Sequence, residues 1–184
     1  VLARAIYGIR ISLIFGLILS FFSATIGIFF GAIQGYFGGL LDLLFQRFME
    51  IWSSMPMLFL LIILSSIIEP GFFSLLFLML LFSWMAMVGF VRAEFLRLRN
   101  FDFVRSAKAL GGGDYYIIFR HILPNASPII LANLPFLIAG SITTLTALDF
   151  LGLGMPAGSP SLGELLAQGK NNITAYWIGL AGFF

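Results

Sequence analysis

The sequence predicts an all-α fold, a polytopic bundle of transmembrane helices, and three observations predict it. Hydrophobic residues make up 60% of the 184 and charged residues only 10%, whereas an ordinary soluble domain carries roughly a quarter charged residues. Mean hydropathy is +1.06. Apolar blocks on the order of the ~20 residues that a helix needs to cross hydrocarbon alternate with glycine- and proline-bearing turns. Ten Lys and Arg with eight Asp and Glu cannot clothe a water-facing surface on a chain of this length. Backbone polar groups in a bilayer must be satisfied within their own segment, so such blocks fold as helices. The 22 Phe lie within the apolar blocks, where they read as lipid-facing or core packing. No basic patch with interleaved stacking aromatics is present, which excludes a nucleic-acid surface. Zero cysteines exclude disulfides and thiolate metal sites.

In chain order, residues 1–12 place Arg4 and Arg10 among apolar neighbours, as in a short interfacial helix that leads into a first span at 11–35. That span carries Gly16, Gly27 and Gly31, small residues that admit a close helix partner. Gly35-Tyr36-Phe37-Gly38-Gly39 reads as a turn. The next block, 41–68, is too long for one upright span and contains Pro56, so a kinked or tilted helix is expected. Its first part holds Asp42, Arg47 and Glu50. An ionisable group such as Glu50 near a span either faces protein or water, or sits at headgroup level. Glu69-Pro70-Gly71 turns the chain, and 73–91 returns through the membrane. A further span at 126–148 carries Pro128 and Pro135 early and a polar ladder late. The ladder, Ser141, Thr143, Thr144 and Thr146, either bonds neighbouring helices or lines a wet path, and with Glu50 it forms the candidate translocation path. Residues 149–172 read as an outer loop rich in Gly, Pro and Ser. Residues 175–184 open a last span, cut short. With no initiator Met, the chain reads as a single transmembrane domain truncated at both ends.

The stretch 97–124 is the long run that could not sit in hydrocarbon, because it gathers Arg97, Arg99, Arg105, Lys108, Arg120, Asp102 and Asp114. Placing 92–124 in the cytoplasm also puts the 35–47 turn there, with seven basic residues inside against Arg4, Arg10 and Lys170 outside. Within it a short helix, a break at Gly111-Gly112-Gly113 and a second helix capped by Asp114 are expected, with Pro124 near the start of the next span. A short helix held between two spans is a rigid projection, shaped to be gripped.

The same stretch resembles the cytoplasmic signature of the membrane-spanning subunits of binding-protein-dependent ABC importers. That signature is a Glu-Ala-Ala triplet followed by a glycine and a closing Leu-Pro. Here Arg105-Ser106-Ala107 takes the triplet, Gly111 falls four residues after Ala107, and Leu123-Pro124 closes it. Arg105 stands for Glu, Ser106 for Ala, and His121 takes an Ile position. The runs Gly35-Tyr36-Phe37-Gly38-Gly39, Phe150-Leu151-Gly152-Leu153-Gly154 and Pro160-Ser161-Leu162-Gly163-Glu164 are similar to the dipeptide, oligopeptide and nickel branch, and within it to the Yej-type peptide and microcin C importers.

The resemblance implies a type I importer permease without a catalytic site, metal or cofactor of its own, crossing the bacterial inner membrane several times. Its implied partners are a second permease subunit, two cytoplasmic ATPase subunits, an extracytoplasmic solute-binding protein, a peptide substrate and the lipid bilayer. The implied ATPase-coupling residues are Arg105, Ser106, Ala107, Lys108, Gly111, Asp114, Leu123 and Pro124. Ala107 would be small to fit the ATPase groove, and Arg105, Lys108 and Asp114 would make polar rim contacts or simply face solvent. The rival class, an ion-gradient-driven transporter or channel, would rely on intramembrane carboxylates such as Glu50. An intramembrane hydrolase would pair Asp149 or Glu50 with His121, the single histidine. Asp149 would otherwise cap a helix in the following loop, pair with Lys170 or meet the substrate's amino group.

Overall fold

A computed structural model describes residues 2–65, 67, 71–156, 159–171 and 177–179, and every regular element among them is helical. Helix α1 (Leu2–Phe37) is one unbroken rod of 36 residues. At ~1.5 Å per residue it is about 54 Å long, well beyond a hydrocarbon core of ~30 Å. The expected interfacial helix and first span are therefore a single element. The rod stops at Gly38, whose φ of 64° lies where L side chains are disfavoured. The Gly38 N–H still reaches the Gln34 carbonyl at 2.9 Å, and α2 (Gly39–Ser53) starts at once, so the glycine run is a one-residue hinge between helices.

Helix α2 ends before Pro56 and α3 (Met57–Ser65) begins just after it, so the expected kinked helix is two helices. Pro56 has no N–H to continue α2, and its carbonyl receives the Phe59 and Leu60 N–H groups that begin α3. Helix α4 (Phe72–Leu98) runs seven residues past the span expected at 73–91 and takes up Arg92, Glu94 and Arg97. Arg97 bonds Glu94 one turn back at 2.5 Å, which carries the helix into the polar stretch. Then come α5 (Asp102–Ala109), α6 (Asp114–Ile117), a π-helical turn (Ile118–Ile122) and α7 (Leu123–Phe150), the last three continuous. Pro128 withholds the N–H due to the Pro124 carbonyl, and the Ser127 hydroxyl bonds that carbonyl at 2.7 Å instead. Helix α8 (Leu162–Asn171) replaces part of the expected outer loop. The Ser161 Oγ accepts the Glu164 N–H at 3.1 Å, a helix N-cap. Glu69-Pro70 lies outside the described residues, as does the last span at 175–184 apart from the helical 177–179.

The chain divides into two compact units. One comprises Val1–Ser20, Pro56–Leu81 and Ile138–Phe184. Its core gathers Phe15, Leu19, Leu61, Leu75, Leu78, Met79, Leu145 and Leu148. Phe15 meets Phe72 edge to face at 5.3 Å, and Ser20 and Ser141 share a buried hydroxyl contact at 3.3 Å. Asp149 is buried and accepts the Met155 N–H at 2.7 Å, so it closes the loop after α7. Lys170 lies over the Phe150 ring at 5.3 Å.

The other unit comprises Phe21–Met55 and Phe82–Leu137. Its core runs from Ala24, Ala32 and Tyr36 through Met87, Val91 and Phe95 to Val104, Ala107, Ile117 and Ile122. Glycines every fourth residue on α1 set its geometry. A Cβ on Gly27, Gly31 or Gly35 would fall 2.6, 2.8 or 2.5 Å from the Cβ of Met87, Val91 or Phe95. Only hydrogen lets α1 and α4 approach this closely, and close backbone packing is what holds helices together where lipid removes the hydrophobic drive. Asp42 and Arg92 tie α2 to α4 through two bonds, 2.5 and 2.7 Å, in a pair whose side chains are 11% and 28% exposed.

Candidate functional site

The candidate coupling segment follows α4 and lies wholly within the second of these units. Helix α5 is eight residues long, well short of what is stable alone in water. It is held by one face: Val104 is fully buried and Ala107 is 8% exposed, both within the cluster that contains Tyr36, Ile117 and Ile122. The opposite face presents Arg105 and Ser106. A larger side chain at Ala107 would press into that cluster, so its own unit already requires a small residue there.

The end of α5 is a Schellman closure. Gly111 has φ 83°, its N–H bonds the Lys108 carbonyl at 2.9 Å, and the Gly112 N–H bonds the Ala107 carbonyl at 3.0 Å. A Cβ on Gly111 would meet nothing within 4 Å, so the glycine is required by backbone conformation alone. This reversal leaves Leu110 89% exposed at the tip of the projection, with Tyr115 78% exposed just beyond it. Sequence reasoning missed Leu110. It stands three residues after Ala107 and six after Val104, as if it continued their buried stripe. The glycine triplet was the signal that the stripe ends one residue earlier.

Asp114 opens α6, but its side chain caps nothing. Its Oδ1 accepts the Tyr36 Oη proton at 2.5 Å. The Lys108 ammonium stands over the Tyr36 ring at 4.9 Å from its centre. Two of the three residues expected at a polar rim thus reach α1 of their own unit, and all three, Arg105, Lys108 and Asp114, are exposed. Leu123 is half-buried against the core cluster, and Pro124 is exposed at the start of α7. The π turn precedes it, with the Leu123 N–H reaching five residues back to Ile118. The His121 ring meets Tyr116 edge to face at 5.2 Å, and its carbonyl accepts the Asn125 amide at 2.6 Å.

The candidate path residues differ in their immediate surroundings. Glu50 is exposed and bonded to Arg47 at 2.5 Å on α2. Ser141 is buried against Ser20. Thr143, Thr144 and Thr146 return their hydroxyl protons to the carbonyls of Ala139, Gly140 and Ile142 at 2.8, 2.8 and 2.9 Å. Of these, Thr143 and Thr146 line a groove of about 630 Å³ with Phe150, Leu162 and Leu166. With their protons bound internally, both threonines offer that groove an acceptor and a methyl group. Among the described residues no cluster of three or more His, Cys, Asp or Glu is placed to hold a metal ion.

Comparison with known proteins places these features in a family. The model of the binding-protein-dependent transport system inner membrane component matches residues 27–184. A peptidoglycan transport system permease protein, YejE, of Agrobacterium fabrum is 65% identical over 184 residues, covering 100% of this chain and 48% of the relative. The inner membrane ABC transporter permease protein YejE of Escherichia coli is 60% identical over 183 residues, covering 100% of this chain and 54% of the relative. An oligopeptide transport system permease protein, OppC, of Lactococcus lactis is 38% identical over 132 residues, covering 71% of this chain and 45% of the relative. The chain spans about half the length of the curated relatives it matches first.

Proposed function

We propose a function from one premise: this chain belongs to the binding-protein-dependent transport system inner membrane components, a family with the type I ABC importer permease fold. It is a multi-pass inner membrane protein, as the family description and its three long apolar helices require. The proposed role is that of the membrane-spanning permease subunit of an ATP-driven peptide importer. In this reading it forms half of the translocation path with a second permease, receives peptide from an extracytoplasmic binding protein and is driven by two cytoplasmic ATPase subunits. The peptide class is taken from relatives named for peptidoglycan and oligopeptide transport.

The observation that carries the reading is the projection itself. Helix α5 is anchored by Val104 and Ala107, so its other face, Arg105, Ser106 and the bare Leu110 tip, is free to be gripped. An exposed leucine beside a cation suits an apolar groove with an acidic rim. Closure of two ATPases around ATP would displace that tip, and the rigid seat would pass the displacement to the long helices. Hydrolysis belongs to the ATPases, and the permease contributes no reacting group.

Along the path, the proposed contacts are Thr143, Thr144 and Thr146, with Ser141 as helix glue and Glu50 as a paired surface carboxylate. The test is purification of the full-length protein from detergent, followed by peptide uptake in proteoliposomes. The expected result is co-purification of a second permease and ATPases, with uptake that requires ATP. Uptake by the protein alone, following a proton or sodium gradient, would replace this reading with that of a carrier.

A further inference from the structure

Tyr36 lies in the last turn of α1 and is 6% exposed, and three separate segments of the same unit meet on it. Its hydroxyl donates to Asp114 Oδ1 at the start of α6, at 2.5 Å. Its ring face carries the Lys108 ammonium of α5 at 4.9 Å. Its carbonyl and that of Gly35 accept Arg99 Nη1, just past the end of α4, at 3.2 and 3.3 Å. Gly38 leaves room for this, since a Cβ there would overlap the Arg99 guanidinium. The two carbonyls belong to the last turn of α1, where helical N–H partners run out, and a cation there meets the negative end of the helix dipole. One aromatic residue thus joins the end of a 36-residue helix to both sides of the Gly111–Gly113 break.

We infer that Tyr36 is a positioning residue that transmits movement of the α5–α6 projection into α1, its hydroxyl bond to Asp114 being the transmitting contact. The inference rests on the coupling role proposed above and goes beyond it by naming where the force enters the membrane helices. The contacts of Val104 and Ala107 with their seat are apolar and non-directional, whereas a charge-assisted hydrogen bond from a buried phenol is short and directional. Asp114 faces solvent apart from this bond, so its role is not to complete a buried network. When α6 shifts, α1 shifts with it or the bond breaks.

The test uses the full-length permease with its paired permease and ATPases in proteoliposomes, and reads ATP hydrolysed per peptide taken up. Tyr36→Phe keeps the ring beneath Lys108 and removes only the hydroxyl. ATPases should still co-purify, while the ATP cost per peptide should rise about tenfold, the scale of losing one hydrogen bond to a charged group. Asp114→Asn retains an acceptor and should stay within about twofold of wild type. Asp114→Leu should match Tyr36→Phe, and the double variant should be no worse than either, because both remove one contact. A lower melting temperature with an unchanged ATP-to-peptide ratio would make Tyr36 a structural anchor and overturn the inference. Absence of any ATPase from the wild-type preparation would instead remove the coupling reading itself.

Discussion

Ala107→Asp tests where the coupling helix takes its hold. The side chain is 8% exposed and belongs to the cluster with Val104, Ile117 and Ile122. A carboxylate there either loses its water without a cation to replace it or drives α5 off its seat. Burial of an unpaired charge and the added volume together should cost about 2–4 kcal/mol of the local stability that keeps α5 docked. At 1.4 kcal/mol per tenfold, docked helix would open about 30 to 800 times more often. Trypsin reads this directly, because Arg105 and Lys108 lie on α5 and cleavage needs the helix locally unfolded. The measurement is the initial cleavage rate of the permease in detergent without ATPases. Acceleration within that range is expected, and loss of ATPase co-purification should follow as a consequence. A cleavage rate unchanged from wild type, with ATPase binding lost, would refute the reasoning and return Ala107 to the partner's groove.

Asp42→Ala strands the Arg92 guanidinium and should lower stability by about 2 kcal/mol, whereas Asp42→Leu with Arg92→Leu should recover most of it; equal midpoints for single and double variants in thermal unfolding would contradict this. Gly111→Val must hold φ near 83°, a strain of roughly 1–2 kcal/mol, and should uncouple ATP hydrolysis from uptake while insertion is kept. Normal uptake at normal expression would count against the need for this reversal. Thr143→Cys and Thr146→Cys should both react with a water-soluble thiol reagent in at least one transport state, since both residues line the groove beside Phe150 and Leu162. Failure of both in every state would assign them to helix contacts.

Much of the fold was legible because it follows from solvent. Apolar blocks in lipid must be helical, and Gly27 and Gly31 announced a close partner before α4 was known to supply it. The Schellman end of α5 could be anticipated from Gly111. Other features depended on tertiary pairing that local sequence does not encode. Asp114 reads as a cap until Tyr36, 78 residues away, is seen to hold it. Asp42 and Arg92 stand 50 residues apart, and only the meeting of α2 and α4 pairs them. Ala107 looked outward by analogy with the motif, while its own unit covers it. Helix α8 was missed for a different reason. Ser161 and Glu164 form a cap signature, but the surrounding Gly and Pro residues outweighed it in a loop reading.

The central claim is that the tip of α5 is the surface the ATPases hold. The most direct measurement places a photocrosslinking residue at Leu110 in the full-length protein and irradiates the purified complex. An adduct with the mass of one ATPase subunit is predicted from position 110, with none from Arg47 on α2. An adduct from Arg47 and none from position 110, in a complex that still hydrolyses ATP, would contradict the account.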